Sequence, residues 1–245
     1  MPTATATATA TGPATATGPA TATATGPATA TGPATATATA TDPATRGRVP
    51  TRERIIYASA ELFRRQGYAG TGLKQIATEA QAPFGSLYHF FPGGKEQLAD
   101  EVLRIGGRFF LALYEAIAGA APDLVTAVSD FFAGAGETLA ATDYADACPI
   151  ATVAGEIAST HEVLRVATAD VFETWLAALA EDAIEAGVAA ERARPLALSV
   201  LALLEGAFLL SRSTRSLDPM KACSEAAVAL VAAALPESTT PEMSP

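Results

Sequence analysis

From residue 51 onward, apolar residues recur with a helical period, and we find no convincing strand pattern. The pattern predicts four helices in the N-terminal part, at about 51–66, 72–80, 83–90 and 95–118. It predicts five more at about 123–140, 150–157, 160–187, 191–213 and 219–235. The chain is therefore expected to be all-α.

Residues typical of helix ends support these limits: Thr51, Gly67, Thr71, Pro83, Asp218, Pro219 and Pro236. We expect Thr51, Thr71 and Asp218 to cap the helices that they precede. Gly67 is expected to end the first helix. Pro83 is expected in the first turn of the third helix, where a proline is tolerated.

The last predicted helix carries an apolar stripe with spacings of 3, 4, 3 and 4, formed by Met220, Cys223, Ala227, Leu230 and Ala234. Such spacing is typical of a seam between helices. The stripe either packs inside its own chain or forms a dimer interface with 191–213. We favour the homodimer, because the rest of the C-terminal part has few other continuous apolar faces.

The first 45 residues contain only Ala, Thr, Gly and Pro, apart from Met1 and Asp42. They offer no large side chains to bury, so residues 1–48 are predicted to be a disordered tail, as are residues 237–245. Translation beginning near Val49 is one hypothesis for the first segment. Between the tails, we expect one domain at 49–96 and a larger helical domain at 97–236.

Charge divides the chain in the same way. The net charge is −10, yet residues 46–95 carry eight Lys or Arg against three Glu, whereas residues 96–245 carry eight against 22 acidic residues. A basic segment joined to an acidic body indicates a phosphate-binding head.

The sequence gives little support for catalysis, metal binding or a membrane span. The cysteines, Cys148 and Cys223, are 75 positions apart, which suits a reducing cytoplasm and neither a disulfide framework nor a metal site. The two histidines suggest no catalytic arrangement, and no glycine loop for phosphates is present. The longest apolar run, 196–210, is interrupted by Ser199 and Glu205 and is too short for a membrane span. We therefore expect no enzyme, no cofactor, no metal and no membrane partner.

Three helices within about 45 residues, the last two short and joined by a tight turn, form a helix-turn-helix pattern. A third helix of eight residues would be roughly 12 Å long, which suits a major groove about 12 Å wide. Double-stranded DNA is the partner that this pattern predicts.

The runs 67–77 (GYAGTGLKQIA), 85–91 (GSLYHFF) and 93–98 (GGKEQL) resemble the DNA-binding domain of the tetracycline-repressor (TetR) family. The stretch 91–98 (FPGGKEQL) and Cys148-Pro149-Ile150, followed by Glu156, are together similar to the LmrA/YxaF-like subgroup. The resemblance implies a three-helix helix-turn-helix domain and a helical bundle for dimerisation and ligand binding. It also implies a repressor that binds a palindromic operator as a dimer and is released by a small apolar effector. A DNA-binding protein without such an effector, architectural or thiol-sensing through Cys148, is the alternative.

By the same resemblance, the DNA-contacting residues are Thr71, Lys74, Phe84, Gly85, Ser86, Tyr88, His89 and Lys95. Two residues depart from the family pattern. Gln81 replaces the usual turn glycine, so it is expected to adopt a left-handed or bridging conformation. Phe84 replaces a polar or basic residue, and it either contacts a thymine methyl or turns inward.

The candidate effector-binding residues are Phe110, Tyr114, Phe131, Phe132, Cys148, Glu156, Phe172, Trp175 and Phe208. Aromatic residues at helical spacing more often fill a core than bind a ligand. Glu156, on an otherwise apolar helix, either faces solvent or pairs with a polar or cationic ligand. Glu205 raises the same question near the proposed dimer helices.

Overall fold

The structure, a computed structural model of the chain, describes residues 49–157 and 159–236. The predicted tails at 1–48 and 237–245 lie outside these residues. Within the described ranges the chain forms nine helices and no strand, which confirms the all-α prediction. The helices are α1 (Thr51–Gln66), α2 (Leu73–Glu79), α3 (Phe84–Phe90), α4 (Gly94–Ala120), α5 (Leu124–Ala141), α6 (Pro149–Ile157), α7 (Glu162–Glu185), α8 (Ala190–Thr214) and α9 (Asp218–Ala234).

The expected helix caps were wrong, although the helices themselves lie where periodicity places them. Thr51 and Asp218 are the first helical residues of α1 and α9, and neither helix has a side-chain cap. Gly72, instead of Thr71, occupies the cap position of α2. A side-chain cap is found at α5, where Asp123 accepts a hydrogen bond of 2.7 Å from the Thr126 N–H.

The turn between α2 and α3 has the left-handed residue that the sequence predicts. Gln81 has φ 49°, so the missing turn glycine leaves a side chain in a conformation that favours glycine. Arg54 of α1 holds this turn, since its Nε donates to the Ala80 carbonyl at 3.0 Å and its Nη2 to the Gln81 carbonyl at 3.2 Å. The angle between α2 and α3 is thereby tied to α1.

The first hydrophobic cluster is shared between the three N-terminal helices and the helices that follow. From α1 to α3 it contains Ile55, Phe63, Ile76 and Leu87, and from α4, α6 and α7 it contains Leu98, Leu103, Ile150, Val153, Leu164 and Ala167. All of these side chains are buried. The first three helices, α1 to α3, are here called the head. They therefore have no core separate from that of α4, α6 and α7.

The second cluster joins α5, α8 and α9 and corrects the expectation for the α9 stripe. Met220, Ala227 and Ala234 are buried inside their own chain, with Met220 packed beside Gly136 of α5. Those three positions therefore do not form an interface with a second copy. Leu230 of the same stripe remains exposed.

Helix α8 is long and apolar enough to cross a membrane by length and composition alone, whereas the apolar run 196–210 was expected to be too short for a span. Of its apolar window, 33% is buried. A single helix of this kind is weak evidence for a span, because core helices of soluble proteins pass the same test. Leu198, Leu209 and Leu210 are the large apolar residues that α8 exposes.

We predict that Gln81→Gly raises the free energy of unfolding by about 1 kcal/mol, because glycine adopts the left-handed conformation without the clash of a side chain. Chemical denaturation measures the change. Glu137→Gly, at an exposed site inside α5, serves as the control and should lower stability by about the same amount. Equal losses in both variants would show that Gln81 is not strained.

Candidate nucleic-acid interface

The outward surface of α3 is formed by two aromatic rings. Phe84 is 42% exposed and Tyr88 is 52% exposed, and their ring centroids lie 5.7 Å apart in an edge-to-face contact. Leu87 and Phe91 are instead buried in the first cluster. The structure thus places Phe84 outward, which excludes the inward orientation that the sequence left open.

Phe84 also borders an open cleft of about 580 Å³ on the α2–α3 unit, lined by Lys74, Ala77, Thr78, Gln81, Ala82 and Phe84. Lys74 is exposed, as are Gly85 and His89 on α3, and Ser86 is half-buried. A Cβ atom added at Gly85 would meet no atom within 4 Å, so this part of α3 is open to close approach. Most of the predicted DNA-contacting residues therefore belong to one accessible unit.

Thr71, another predicted DNA-contacting residue, is buried and does not belong to this accessible unit. It is 1% exposed, and its hydroxyl donates to the Gly67 carbonyl at 2.7 Å while it accepts from Gln66 Nε2 at 3.2 Å. The hydroxyl closes the turn after α1, because the end of that helix leaves a carbonyl to be satisfied. Thr71 is a residue of the turn, and the predicted phosphate contact by its side chain does not fit this geometry.

Lys95 lies in the first turn of α4, and its ammonium group is 4.1 Å from the centroid of the Tyr68 ring. Burial lowers the pKa of Lys95, and the negative charge of Glu156 opposes that shift. The Tyr68 ring also makes an edge-to-face contact with the ring of His161, with 5.2 Å between the centroids. The lysine thus rests on the head instead of extending freely from it.

Glu156, a candidate for effector binding, contacts the head. Its Oε2 accepts a hydrogen bond of 2.8 Å from the Ala69 N–H, in the turn between α1 and α2. A Cβ atom at Gly67 would lie 1.6 Å from Glu156 Oε1, so only glycine leaves room for this carboxylate. Glu156 is exposed, as the first of the two alternatives expects, but its contact with the turn was not predicted from the sequence.

A second polar connection, which the sequence did not predict, joins the head to the segment between α5 and α6. Arg64 of α1 donates to Asp146 and to Glu61. Asp146 is buried, and burial raises its pKa while the charge of Arg64 opposes the rise. From the other side, Arg212 of α8 donates to the carbonyls of Tyr144 and Ala145, each at 3.3 Å. Residues 142–148 are therefore held by both α1 and α8.

The remaining effector candidates form separate groups. Phe110, Phe172 and Trp175 make a chain of edge-to-face contacts between α4 and α7, with centroid distances of 6.2 and 5.7 Å. Tyr114 contacts Phe131, at 5.6 Å between centroids. Phe132 is buried in the second cluster, and Phe208 packs against both clusters. The structure therefore brings Phe110, Phe172 and Trp175 together in one group and Tyr114 and Phe131 together in another.

Beside Tyr114, a groove of about 400 Å³ lies between the end of α4, the start of α5 and the end of α7. Its wall is acidic, with Glu115, Asp123, Glu181, Asp182 and Glu185. The Tyr114 hydroxyl donates to Asp182 at 2.6 Å. The groove is thus more polar than the apolar site that the sequence led us to expect. In the ranges that the structure describes, no group of His, Cys, Asp or Glu could hold a metal ion.

Cys148 is buried, and its sulfur accepts a hydrogen bond of 3.4 Å from the Ala151 N–H. Burial raises the pKa of the Cys148 thiol, and burial also raises the pKa of Glu205 to about 7. A protonated, buried thiol is a poor nucleophile, so the position of Cys148 gives the thiol-sensing alternative no support.

Comparison with known proteins adds an independent observation. Residues 55–102 match the family model of bacterial regulatory proteins, tetR family, and residues 125–226 match that of the transcriptional regulator LmrA/YxaF-like, C-terminal domain. The HTH-type transcriptional regulator YxaF of Bacillus subtilis is 35% identical over 184 residues, covering 75% of this chain and 96% of the relative. LmrA of the same organism is 33% identical over 170 residues, covering 69% and 90%.

A more distant relative is the HTH-type transcriptional repressor DhaR of Mycobacterium sp., 27% identical over 182 residues, covering 71% of this chain and 88% of the relative. Among solved structures, the regulatory protein TetR from Rhodobacter sphaeroides aligns with a TM-score of 0.67 at 22% identity, covering 74% of this chain and 98% of that one. A TetR transcriptional regulator from Legionella pneumophila aligns with a TM-score of 0.65 at 21% identity, covering 77% and 98%. These two structures show a shared fold.

We predict that Arg64→Ala lowers the free energy of unfolding by about 3 kcal/mol, because it leaves the buried Asp146 carboxylate without its cation. Arg65→Ala is the matched control. Arg65 is exposed and pairs with the same Glu61 at 2.5 Å, so its loss should cost less than about 1 kcal/mol. Denaturant titration measures both, and similar costs for the two variants would contradict a structural role for the Arg64–Asp146 pair.

Proposed function

The chain belongs to the TetR family of DNA-binding transcriptional regulators, and we propose that it is a ligand-responsive repressor that binds a palindromic operator as a dimer. In this proposal residues 49–96 read DNA, whereas residues 97–236 dimerise and bind the effector. A DNA partner implies a cytoplasmic location. The relatives are transcriptional regulators, so no enzymatic activity is proposed.

The observation that carries the DNA-binding role is the exposed pair of rings on α3. Phe84 and Tyr88 leave apolar surface in water, on a helix whose Leu87 is buried in the first cluster. Lys74 lines the same cleft as Phe84 and supplies positive charge beside it. Lysine contacts to phosphate position a protein on DNA, whereas contacts to base edges specify sequence. We assign the first role to Lys74 and Lys95, and we assign contact with a thymine methyl to Phe84.

We predict that selection from a pool of random duplexes yields an inverted repeat, and that affinity for it depends on a thymine methyl facing Phe84. Replacing that thymine with uracil removes the methyl group alone and should weaken binding about fourfold in each half-site. Phe84→Ala should bind thymine and uracil operators equally well. Tyr88→Phe, which keeps the neighbouring ring, should still discriminate between them. Equal discrimination by the wild type and Phe84→Ala would exclude this role for Phe84.

Dimerisation is proposed through the outward faces of α8 and α9. Leu198, Leu209 and Leu210 of α8 and Leu230 of α9 are exposed in the single chain, Leu209 at 67%. Only a third of the apolar window of α8 is buried by its own chain. Regulators of this family bind DNA as dimers, and a palindromic operator requires two copies of the head. A second copy is therefore the partner that we propose for this surface.

We predict that Leu209→Glu converts the dimer to a monomer, since two carboxylates would be buried across a symmetric interface. Light scattering on a size-exclusion column measures the mass. Val163→Glu introduces the same charge at an exposed apolar position of α7 and should leave the dimer intact. A Leu209→Glu protein with the mass of a dimer would place the interface elsewhere.

The effector response is proposed to act through α4, which begins beside the head at Gly94 and continues to the aromatic chain of Phe110, Trp175 and Phe172. α4 and α7 are packed closely here. The Trp175 indole donates to the Gly107 carbonyl at 2.9 Å, and a Cβ atom at Gly107 would lie 2.6 Å from Val171. A small apolar effector inserted beside these rings would separate the two helices and tilt α4. It must bind the DNA-free form more tightly than the DNA-bound form, or operator affinity would not change.

A further inference from the structure

We propose that Glu156 is a positioning residue for DNA binding, which holds the turn between α1 and α2 and competes with DNA phosphate for Lys95. The inference rests on the proposed phosphate contact of Lys95. One carboxylate of α6 thereby supplies both a structural contact with the head and a negative charge that limits DNA affinity.

The carboxylate of Glu156 is held in a fixed position. Ile150, Val153 and Ile157 of α6 are buried in the first cluster, so the helix that carries Glu156 is anchored beside the head. From there Oε2 accepts the Ala69 N–H at 2.8 Å, and Oε1 occupies the space that the missing side chain of Gly67 leaves free. Gly67 has φ 75°, a conformation that glycine adopts without strain. The turn and the carboxylate thus fit each other closely.

Lys95 lies in the electrostatic field of this carboxylate. Its ammonium group is partly buried against Tyr68, which lies between Gly67 and Ala69 in the same turn. Burial lowers the pKa of Lys95, and the negative charge of Glu156 opposes that shift. Burial raises the pKa of Tyr68, and the charge of Glu96 adds to the rise. His161 contacts both Tyr68, ring to ring, and Glu96, with 3.5 Å between His161 Nδ1 and Glu96 Oε1. Lys95 and the Glu156 carboxylate therefore lie against the same turn, residues 67–69, where the negative charge of Glu156 favours the charged form of Lys95.

A DNA phosphate that approaches Lys95 meets this arrangement. It must draw Lys95 away from the favourable field of the Glu156 carboxylate. Removing the charge while keeping the hydrogen bond should strengthen DNA binding. Removing the whole side chain should also loosen the turn. The two contributions can be separated because glutamine keeps the length and the acceptor oxygen of glutamate.

The experiment is a double-mutant cycle with Glu156→Gln and Lys95→Ala, measured as DNA affinity over a range of salt concentrations. Glu156→Gln should bind the selected operator about fivefold more tightly, the effect of one charge near a protein surface. Its plot of log affinity against log salt should be steeper, by up to about one unit. Lys95→Ala should bind more weakly, and adding Glu156→Gln to it should bring no gain.

Two control variants distinguish a local effect at Lys95 from a general change of net charge or of stability. Glu137→Gln, an exposed residue of α5 with the same change of charge, should alter affinity less than about twofold. Glu156→Ala should melt at a lower temperature than Glu156→Gln, because it also removes the acceptor for the Ala69 N–H. The cycle is repeated on an unrelated duplex at low salt, since phosphate contacts do not depend on sequence.

An unchanged or weakened affinity of Glu156→Gln on both duplexes would overturn the proposal. So would a gain that persists in the Lys95→Ala background or that Glu137→Gln reproduces. Failure of the wild type to prefer any operator over the unrelated duplex would instead contradict the proposed function. The competition between Glu156 and phosphate would still be measured on the unrelated duplex.

Discussion

The position of α3, the helix proposed to read DNA, depends on the burial of α1, α2 and α3 against α4, α6 and α7. Helices of seven residues, such as α2 and α3, are not stable in water unless tertiary packing supports them. Here that packing is supplied by one cluster in which Phe63 and Leu87 of the head lie with Leu103, Val153 and Leu164 of the body. The position of α3 is consequently set in part by α6 and α7, which are far from it in the sequence.

Hydrophobic burial is not directional, so polar contacts are needed to fix how the head sits on the body. Arg64 of α1 reaches Asp146, and Glu156 of α6 reaches the Ala69 N–H in the turn after α1. Within the head, Arg54 of α1 holds the carbonyls of the α2–α3 turn. Residues 142–148 also accept hydrogen bonds from Arg212 of α8. A change at the proposed dimer helix or in α6 therefore has a physical route to the DNA-binding surface.

Local signals in the sequence predicted the features that depend on local physics. Periodicity located the nine helices of the described ranges, and the absence of a turn glycine predicted the left-handed Gln81. Periodicity identifies an apolar face but not the element that covers it, which is why the buried part of the α9 stripe was assigned to a partner. Periodicity also could not show that the Thr71 hydroxyl would donate its hydrogen bond to the Gly67 carbonyl. Glu156 and Asp146 were beyond prediction for a related reason, since each is a carboxylate whose partner lies more than 80 positions away. The outward orientation of Phe84 was equally undecided, because its position in the apolar stripe of α3 resembles that of the buried Leu87.

Amide hydrogen exchange of the dimer, with and without operator DNA, tests most directly whether the head and the body act as one unit. Shared packing predicts slower exchange on DNA in residues 51–95 and also in α6 and residues 142–148, which do not belong to the DNA-binding surface. Protection confined to residues 51–95 would contradict the coupling between head and body. No protection in the head would contradict DNA binding through α3.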